Sequence, residues 1–440
     1  MPERRAGPDE WTRLADNVKE EAEQQARVAA QTAPGSILAA DVATPAWARW
    51  RETVLVPLLA IIAALGVGAL VIIFTNDEAI GEWKGFFRDP VEALSVSWRV
   101  VRDAYYALFS GALGSPSRLA RAFGSGEIAD IRSALFPLSE TIVTATPLIF
   151  VGLSVAVGFR SGLFNVGAEG QMNAGAMAAS FVGFSLDLPG PVHLALVVMA
   201  GLAGGAVWGA IPGVLKAKTG AHEVITTIML NFVAVSLTLY LLGTSVYRQQ
   251  AEPVSKPVKV AFPHVFGTDL RVHIGILVGI AAAVLVAWVV NRTTIGFEFR
   301  AVGANPEAAR AAGMSPGRTT VVVMTSAGAL AGLAGANQLA SVTPSLTPGF
   351  ASGLGFEAIA LALLARGSAF GVVLSALLFG ALRVGGRAMQ SVTQTPIDII
   401  VVIQALVIAF VAAPALVRAI FRTRARGAAG AQTFAKGWGG

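Results

Sequence analysis

Polar and apolar residues along this chain fall into long blocks, not into the short repeats of an amphipathic helix or strand. Residues 54–74 carry no charge and are long enough to cross a bilayer, which takes about 20 apolar residues. Comparable runs follow at 141–159, 162–186, 191–215, 224–247, 274–290 and 319–339. Two shorter runs lie at 353–365 and 369–382, and a last one at 399–417. The pattern predicts an all-α polytopic membrane protein of about ten spans, with the short runs as candidates for re-entrant helices. A polar arm, 1–53, precedes the membrane domain, 54–417, and a basic tail, 418–440, follows it. Trp11, Leu14 and Val18 fall on one helical stripe, so the arm is expected to hold a short surface helix or to stay disordered. Segment 75–135 sets Arg99, Arg102 and Asp103 beside Tyr105, Tyr106 and Phe109; it is expected to be an external amphipathic helix lying against the bundle.

Composition agrees. Of 440 residues, 54% are hydrophobic and 14% charged. A soluble domain is about one-quarter charged, so this chain cannot cover its surface with polar groups and must face lipid. The absence of cysteine excludes disulfides, thiol catalysis and Cys-based metal sites. The net charge of +6 needs no nucleic-acid partner, because the basic residues gather at span ends. With the N-terminus in the cytoplasm, the inner loops hold Arg160, Lys216 and Lys218, then Arg292, Arg300, Arg310 and Arg318, then Arg366 and the tail. That is the positive-inside arrangement, with both termini cytoplasmic. Arg383 and Arg387 are the exceptions.

The chain also carries an internal echo. Glu169 lies in a short polar-apolar stretch, a Gly/Ala-rich span follows, and Glu223-Val-Ile-Thr-Thr-Ile opens the next. Later Glu357 lies in a short span, a Gly/Leu span follows, and Asp398-Ile-Ile-Val-Val-Ile opens the last. The two sets are an odd number of spans apart, so they point to two inverted five-helix repeats, a plan common in transporters.

The densest polar cluster is Asn165, Glu169, Gln171 and Asn173 within residues 162–173. A carboxylate at membrane depth costs a few kcal/mol or more, about what translocon scales give, unless paired or hydrated. It marks either a broken helix lining the solute path or a surface loop where Glu169 meets water. Asn231, Asn337, Gln338, Glu357 and Gln404 are lone polar residues in spans. Each is expected to make an interhelical hydrogen bond, and together they could line a route for a hydroxyl-rich solute. Asn165, Glu169, Gln171, Asn173, Asn231 and Glu357 are the candidates for path or gate. Gly201, Gly205, Gly209 and Gly213 share one helix face, as do Gly328, Gly332 and Ala336, which marks tight helix packing, not a site. In the inner loop 291–318, Asn305 suits an N-cap, Pro306 the first helical position and Glu307 the positive end of the helix dipole. Gly313 suits the left-handed residue past the end. The short helix so defined, residues 306–312, presents Ala308, Ala309 and Arg310. It is too short to stand alone in water and must dock, on the bundle or on a cytoplasmic partner.

No Gly-x-x-x-x-Gly-Lys-Ser/Thr loop, no His-Glu-x-x-His and no Gly-x-Ser-x-Gly elbow occurs, so the chain itself is expected to bind no nucleotide that way, no metal and no catalytic nucleophile. An ion-driven secondary transporter of a small polar solute and a non-transporting scaffold are the rival readings. Polar residues inside spans argue against the scaffold.

Four segments carry a resemblance. Arg160-Ser-Gly-Leu-Phe-Asn-Val-Gly-Ala-Glu-Gly-Gln171, Gly220-Ala-His-Glu-Val-Ile-Thr-Thr-Ile-Met-Leu-Asn231, Thr294-Ile-Gly-Phe-Glu-Phe-Arg-Ala-Val-Gly-Ala-Asn-Pro306 and Ser326-Ala-Gly-Ala-Leu-Ala-Gly-Leu-Ala-Gly335 occur in this order. Together they resemble the permease subunits of bacterial ABC importers for nucleosides and simple sugars, related to the branched-chain amino acid and ribose permeases. The resemblance implies a cytoplasmic-membrane subunit paired with a second permease, identical or homologous. A separate subunit would bind ATP and Mg, and an external substrate-binding protein or lipoprotein would deliver the solute. It further implies that residues 306–313 form the coupling helix received by the ATPase.

Overall fold

The computed structural model describes residues 46–249, 252–267 and 269–413, with 417, 420 and 421 beyond them. The stripe of Trp11, Leu14 and Val18 and the arginines of the tail lie outside the described residues. The chain divides into residues 1–59, of which the opening turns of the first helix are described, and residues 60–440, which hold everything discussed below.

The elements are helical throughout: α1 (Ala46–Thr75), α2 (Asp77–Lys84), α3 (Pro90–Leu113), α4 (Pro116–Ser125), α5 (Ile128–Arg160), α6 (Ala168–Ser185), α7 (Gly190–Thr219) and α8 (Glu223–Gly243). Then come α9 (Gly275–Arg292), α10 (Thr294–Ala304), α11 (Pro306–Ala311), α12 (Pro316–Ser341), α13 (Leu354–Leu364), α14 (Ala369–Thr393) and α15 (Asp398–Ala412). Seven of them are long and apolar enough to cross a membrane. The less apolar α6 and the short α13 and α15 complete the ten apolar runs of the sequence. The protein is an all-α, multi-pass membrane protein.

Helix ends follow local chemistry. Asp89 before Pro90 and Ser115 before Pro116 accept hydrogen bonds from the backbone N–H of Glu92 and Arg118, at 3.0 and 3.3 Å. Such Ncap–Pro pairs start new helices. Segment 75–135 is therefore not one amphipathic helix but α2, α3, α4 and the opening of α5. Of these, α3 packs on α14 and α5, with Thr141 donating to the Ala112 carbonyl at 2.7 Å. The inner loop likewise holds two helices, not one: Thr293 caps α10 through the Gly296 N–H at 3.1 Å, ahead of α11.

Packing has the pairing that two repeats require. Exchange α5 with α12, α6 with α13, α7 with α14 and α8 with α15. The contacts α7–α12, α6–α12, α6–α7, α6–α8 and α7–α8 then become α14–α5, α13–α5, α13–α14, α13–α15 and α14–α15, all of which are present. The exchange leaves the pairs α5–α12 and α6–α13 in place, and both are in contact at the centre.

The α7–α12 seam is backbone on backbone. A Cβ on Gly201 would lie 2.6 Å from the Ala336 Cβ, one on Gly205 2.6 Å from the Gly332 Cα, and one on Gly209 2.9 Å from the Gly328 Cα. Both glycine ladders seen in the sequence therefore meet each other. At the end of the bundle remote from Arg160, the segment between α8 and α9 runs across other loops. Val258 N–H donates to the Pro344 carbonyl and Phe262 N–H to that of Ala340, each at 2.8 Å.

Candidate functional site

At Arg160 α5 stops, and residues 161–167 cross back into the bundle before α6 starts at Ala168. The first turn of a helix has N–H groups without intrahelical partners, and a start inside the bundle must satisfy them from elsewhere. Asn231 on α8 does this for α6. Its Oδ1 accepts from the Gly170 N–H at 2.9 Å, and its Nδ2 donates to the Val166 carbonyl at 3.0 Å. Gly170 leaves the room, since a Cβ there would sit 2.8 Å from Asn231 Oδ1.

Asn165 and Gln171 face each other as paired amides. Asn165 Nδ2 donates to Gln171 Oε1 at 2.9 Å, and Gln171 Nε2 donates to Asn165 Oδ1 at 3.2 Å. Asn165 Oδ1 also takes the Gly167 N–H at 3.1 Å. Asn173 Nδ2 donates to the Glu169 carbonyl at 3.1 Å. All of these side chains are buried. Of the two possibilities for Glu169, the surface loop is excluded: the residue is 8% exposed.

Its carboxylate has a defined partner. Glu169 Oε1 accepts from the Gly353 N–H at 2.9 Å and Oε2 from the Gly355 N–H at 2.7 Å. These are the free N–H groups at the start of α13, so Glu169 caps that helix. A carboxylate there gains from charge-assisted hydrogen bonds and from the positive end of the helix dipole. The approach is close: a Cβ on Gly355 would stand 2.5 Å from the Glu169 Cα and nearer still to its N. Gly353, at φ +79°, turns the chain into the helix.

Glu357, one turn into α13, meets Arg383 of α14. Its Oε1 accepts from Arg383 Nε at 3.1 Å and Nη2 at 2.9 Å. Arg383, one of the two exceptions to the positive-inside pattern, is therefore the counterion of a glutamate within the bundle. The pair is partly open, with side chains 22% and 31% exposed. Asn337, expected to bond across helices, is fully buried and has no partner among the described residues for either amide atom; Gln404 Nε2 likewise has none. The fold thus gathers Asn165, Glu169, Gln171, Asn173 and Asn231 into one network and sets Glu357 beside it. Gly353 and Gly355, at the start of α13, and the Arg383 side chain are not among the sequence candidates.

The inner loop forms a second focus. Asn305 Oδ1 accepts from the N–H groups of Glu307 and Ala308, each at 3.0 Å, and Gly313 adopts φ +84° past the helix end. Glu307 and Arg310 pair with each other at 2.7 Å, both largely exposed. Asn305, Pro306, Ala308 and Gly313 are exposed too, whereas Ala309 is buried and seats the helix on the protein. The two foci are joined by backbone contact: a Cβ on Gly162 would lie 2.9 Å from the Gly303 carbonyl oxygen, and one on Gly303 2.6 Å from the Ser161 carbonyl carbon.

Residues 138–412 match the family described as branched-chain amino acid transport system / permease component. The chain belongs to this family. The match covers both repeats and both foci. Relatives agree along most of their length. A guanosine ABC transporter permease protein of Bacillus subtilis is 36% identical over 83% of this chain and 94% of its own. A glucose ABC transporter permease protein of Haloferax volcanii is 36% identical over 83% and 88%, and a nucleoside ABC transporter permease protein of Lactococcus lactis is 33% identical over 82% and 90%. No solved structure matches the chain. The chain is an ABC transporter permease, and these relatives support that reading over the ion-driven alternative.

Proposed function

We propose that this permease carries nucleosides across the cytoplasmic membrane of a bacterium, with both termini in the cytoplasm. It binds no cofactor and has no catalytic site; a separate subunit binds ATP and Mg and hydrolyses the nucleotide. A second permease chain, identical or homologous, completes the pore, and an external substrate-binding protein or lipoprotein loads it. Similarity to the guanosine and nucleoside permeases supports the solute class. Similarity to the glucose permease keeps a simple sugar as the second reading.

The observation that carries the mechanism is the Glu169 cap on α13, which links the two repeats at the level where both broken helices begin. In this state the candidate path residues hold one another and the path is shut. Opening it requires α6 and α13 to part, which replaces the Glu169 cap with water or solute. The exposed face of α11 receives the ATPase. Movement there reaches the gate through Gly303 and Gly162, which abut, and then through Asn165 and Gln171.

The test is purification of the tagged chain from its native membrane in mild detergent, mass spectrometry of what accompanies it, and reconstitution with those subunits. Uptake of labelled guanosine that requires ATP supports the proposal. ATP-driven uptake of glucose but not guanosine selects the sugar reading. Uptake in vesicles without ATP rejects both.

A further inference from the structure

At the Arg160 end of the bundle a crevice of about 100 Å³ opens between α5, α9 and the start of α14. Its walls are apolar, built by Ala156, Val157, Val286, Val290 and Phe370. Its mouth is polar and basic. Arg160 and Asn291 line it, and Arg292 and Arg366, both exposed, adjoin the lining residues Asn291 and Gly367 in the chain. Arg160 is fixed at this rim by its Nε, which donates to the Gly367 carbonyl at 3.0 Å. No carboxylate lines the crevice.

Neither focus described above uses this crevice. It sits where three helices of a membrane protein splay apart at their basic ends, which is the depth of lipid headgroups. An apolar slot beneath the Arg160 guanidinium, with two further exposed arginines next in the chain to its lining, matches one molecule in that layer. Part of an acyl chain enters the slot, and a phosphate diester meets Arg160. A zwitterionic headgroup would set a second positive charge against it. Basic pockets between membrane helices have this selectivity for anionic headgroups, and arginine forks suit phosphate oxygens. We propose that the crevice is a binding site for an anionic phospholipid, with Arg160 as its principal headgroup contact. The proposal depends only on the protein's being in a membrane, so it stands or falls apart from the transported solute.

The test uses the full chain in nanodiscs containing equal amounts of phosphatidylglycerol and phosphatidylcholine, followed by release into mild detergent and native mass spectrometry of retained lipid. Wild-type protein is expected to retain phosphatidylglycerol about fivefold over phosphatidylcholine, the effect of one basic side chain near an anionic surface. Two variants probe the site without touching the Arg160–Gly367 bond. Asn291→Glu places a carboxylate at the mouth and should abolish the preference. Val290→Trp fills the slot and should reduce retained phosphatidylglycerol to the level of phosphatidylcholine. Equal retention of the two lipids by the wild type overturns the proposal, and so does a preference that survives in either variant. Arg160→Lys keeps the charge and should keep the preference.

Discussion

The start of α6 is held by amides, and the start of α13, its counterpart in the second repeat, is held by charge. At α6, Asn165 and Gln171 form reciprocal neutral hydrogen bonds and Asn231 bonds the backbone, with the oxygen and nitrogen of each side-chain amide engaged and all three buried. At α13, a carboxylate from the other repeat supplies the cap, and an ion pair follows one turn later with part of its surface open. Neutral reciprocal pairs at depth have no alternative partner and lock a structure. A carboxylate and a half-open ion pair can exchange their partners for water or for the polar groups of a solute. The two halves share a plan but differ in how the start of the short helix is held, and on the proposed gating the α13 end is the one that parts.

Four sets of substitutions would break or sharpen that contrast. The largest effect is expected from Gly355→Ala, because the new Cβ meets the Glu169 backbone and no rotamer change can relieve it. A loss above about 4 kcal/mol, the range of severe core overlap, would appear as a collapse of the monodisperse peak in size-exclusion chromatography; an unchanged peak and melting midpoint would show that α6 and α13 are not in tight contact. Next is Glu169→Ala, which strands one buried and one partly buried N–H group and should cost about 3 kcal/mol. Glu169→Gln keeps one acceptor and should recover part of this, while Asn231→Ala, which removes only neutral bonds, should cost about 1–2 kcal/mol. If thermal unfolding ranks Asn231→Ala above Glu169→Ala, the Gly353 and Gly355 N–H groups are not stranded when the carboxylate is removed, and Glu169 is not their cap.

Smaller still in stability, but not in transport, is Arg383→Met. The pair is partly exposed, so about 1–2 kcal/mol is expected. Glu357→Gln added to it should recover most of that, and the double-mutant cycle measures the coupling. Transport should fall in both singles; full uptake in Arg383→Met would remove the ion pair from the gate. The smallest stability change, within about 0.5 kcal/mol, is expected for Glu307→Arg and Arg310→Glu on α11. Each should nonetheless sever ATP hydrolysis from uptake. The double reversal rebuilds the intrahelical pair with its polarity inverted, so it separates a helix that only needs its own salt bridge from one whose charges are read by a partner.

Much of the fold was visible in the chain because each apolar run of the membrane domain became a helix and each Ncap–Pro pair began one. The glycine ladders named their own packing face. The site was visible only in part. Glu169 announces itself as a carboxylate among apolar residues, but its partners are backbone N–H groups of Gly353 and Gly355, and a backbone donor has no letter in the sequence. Arg383 was legible only as a breach of loop-charge statistics until α13 and α14 were folded side by side. Ala309 shows the reverse limit: it lies in the short helix read from the chain but is buried, because so short a helix has too few positions to present all of them to a partner, and one must face the protein. The breaks at Asp89–Pro90 and Ser115–Pro116 could have been read directly, and the aromatic stripe between them obscured them.

The α7–α12 seam has a mechanical consequence. Most helix pairs slide or tilt by switching side-chain rotamers at their contact, but the glycines of this seam have no rotamers to switch. The two helices therefore travel as a single strut. If α6 and α13 part as proposed, they turn about this strut and not through it, and the chain leaves it towards them through residues 220–222 before α8 and residues 342–353 before α13.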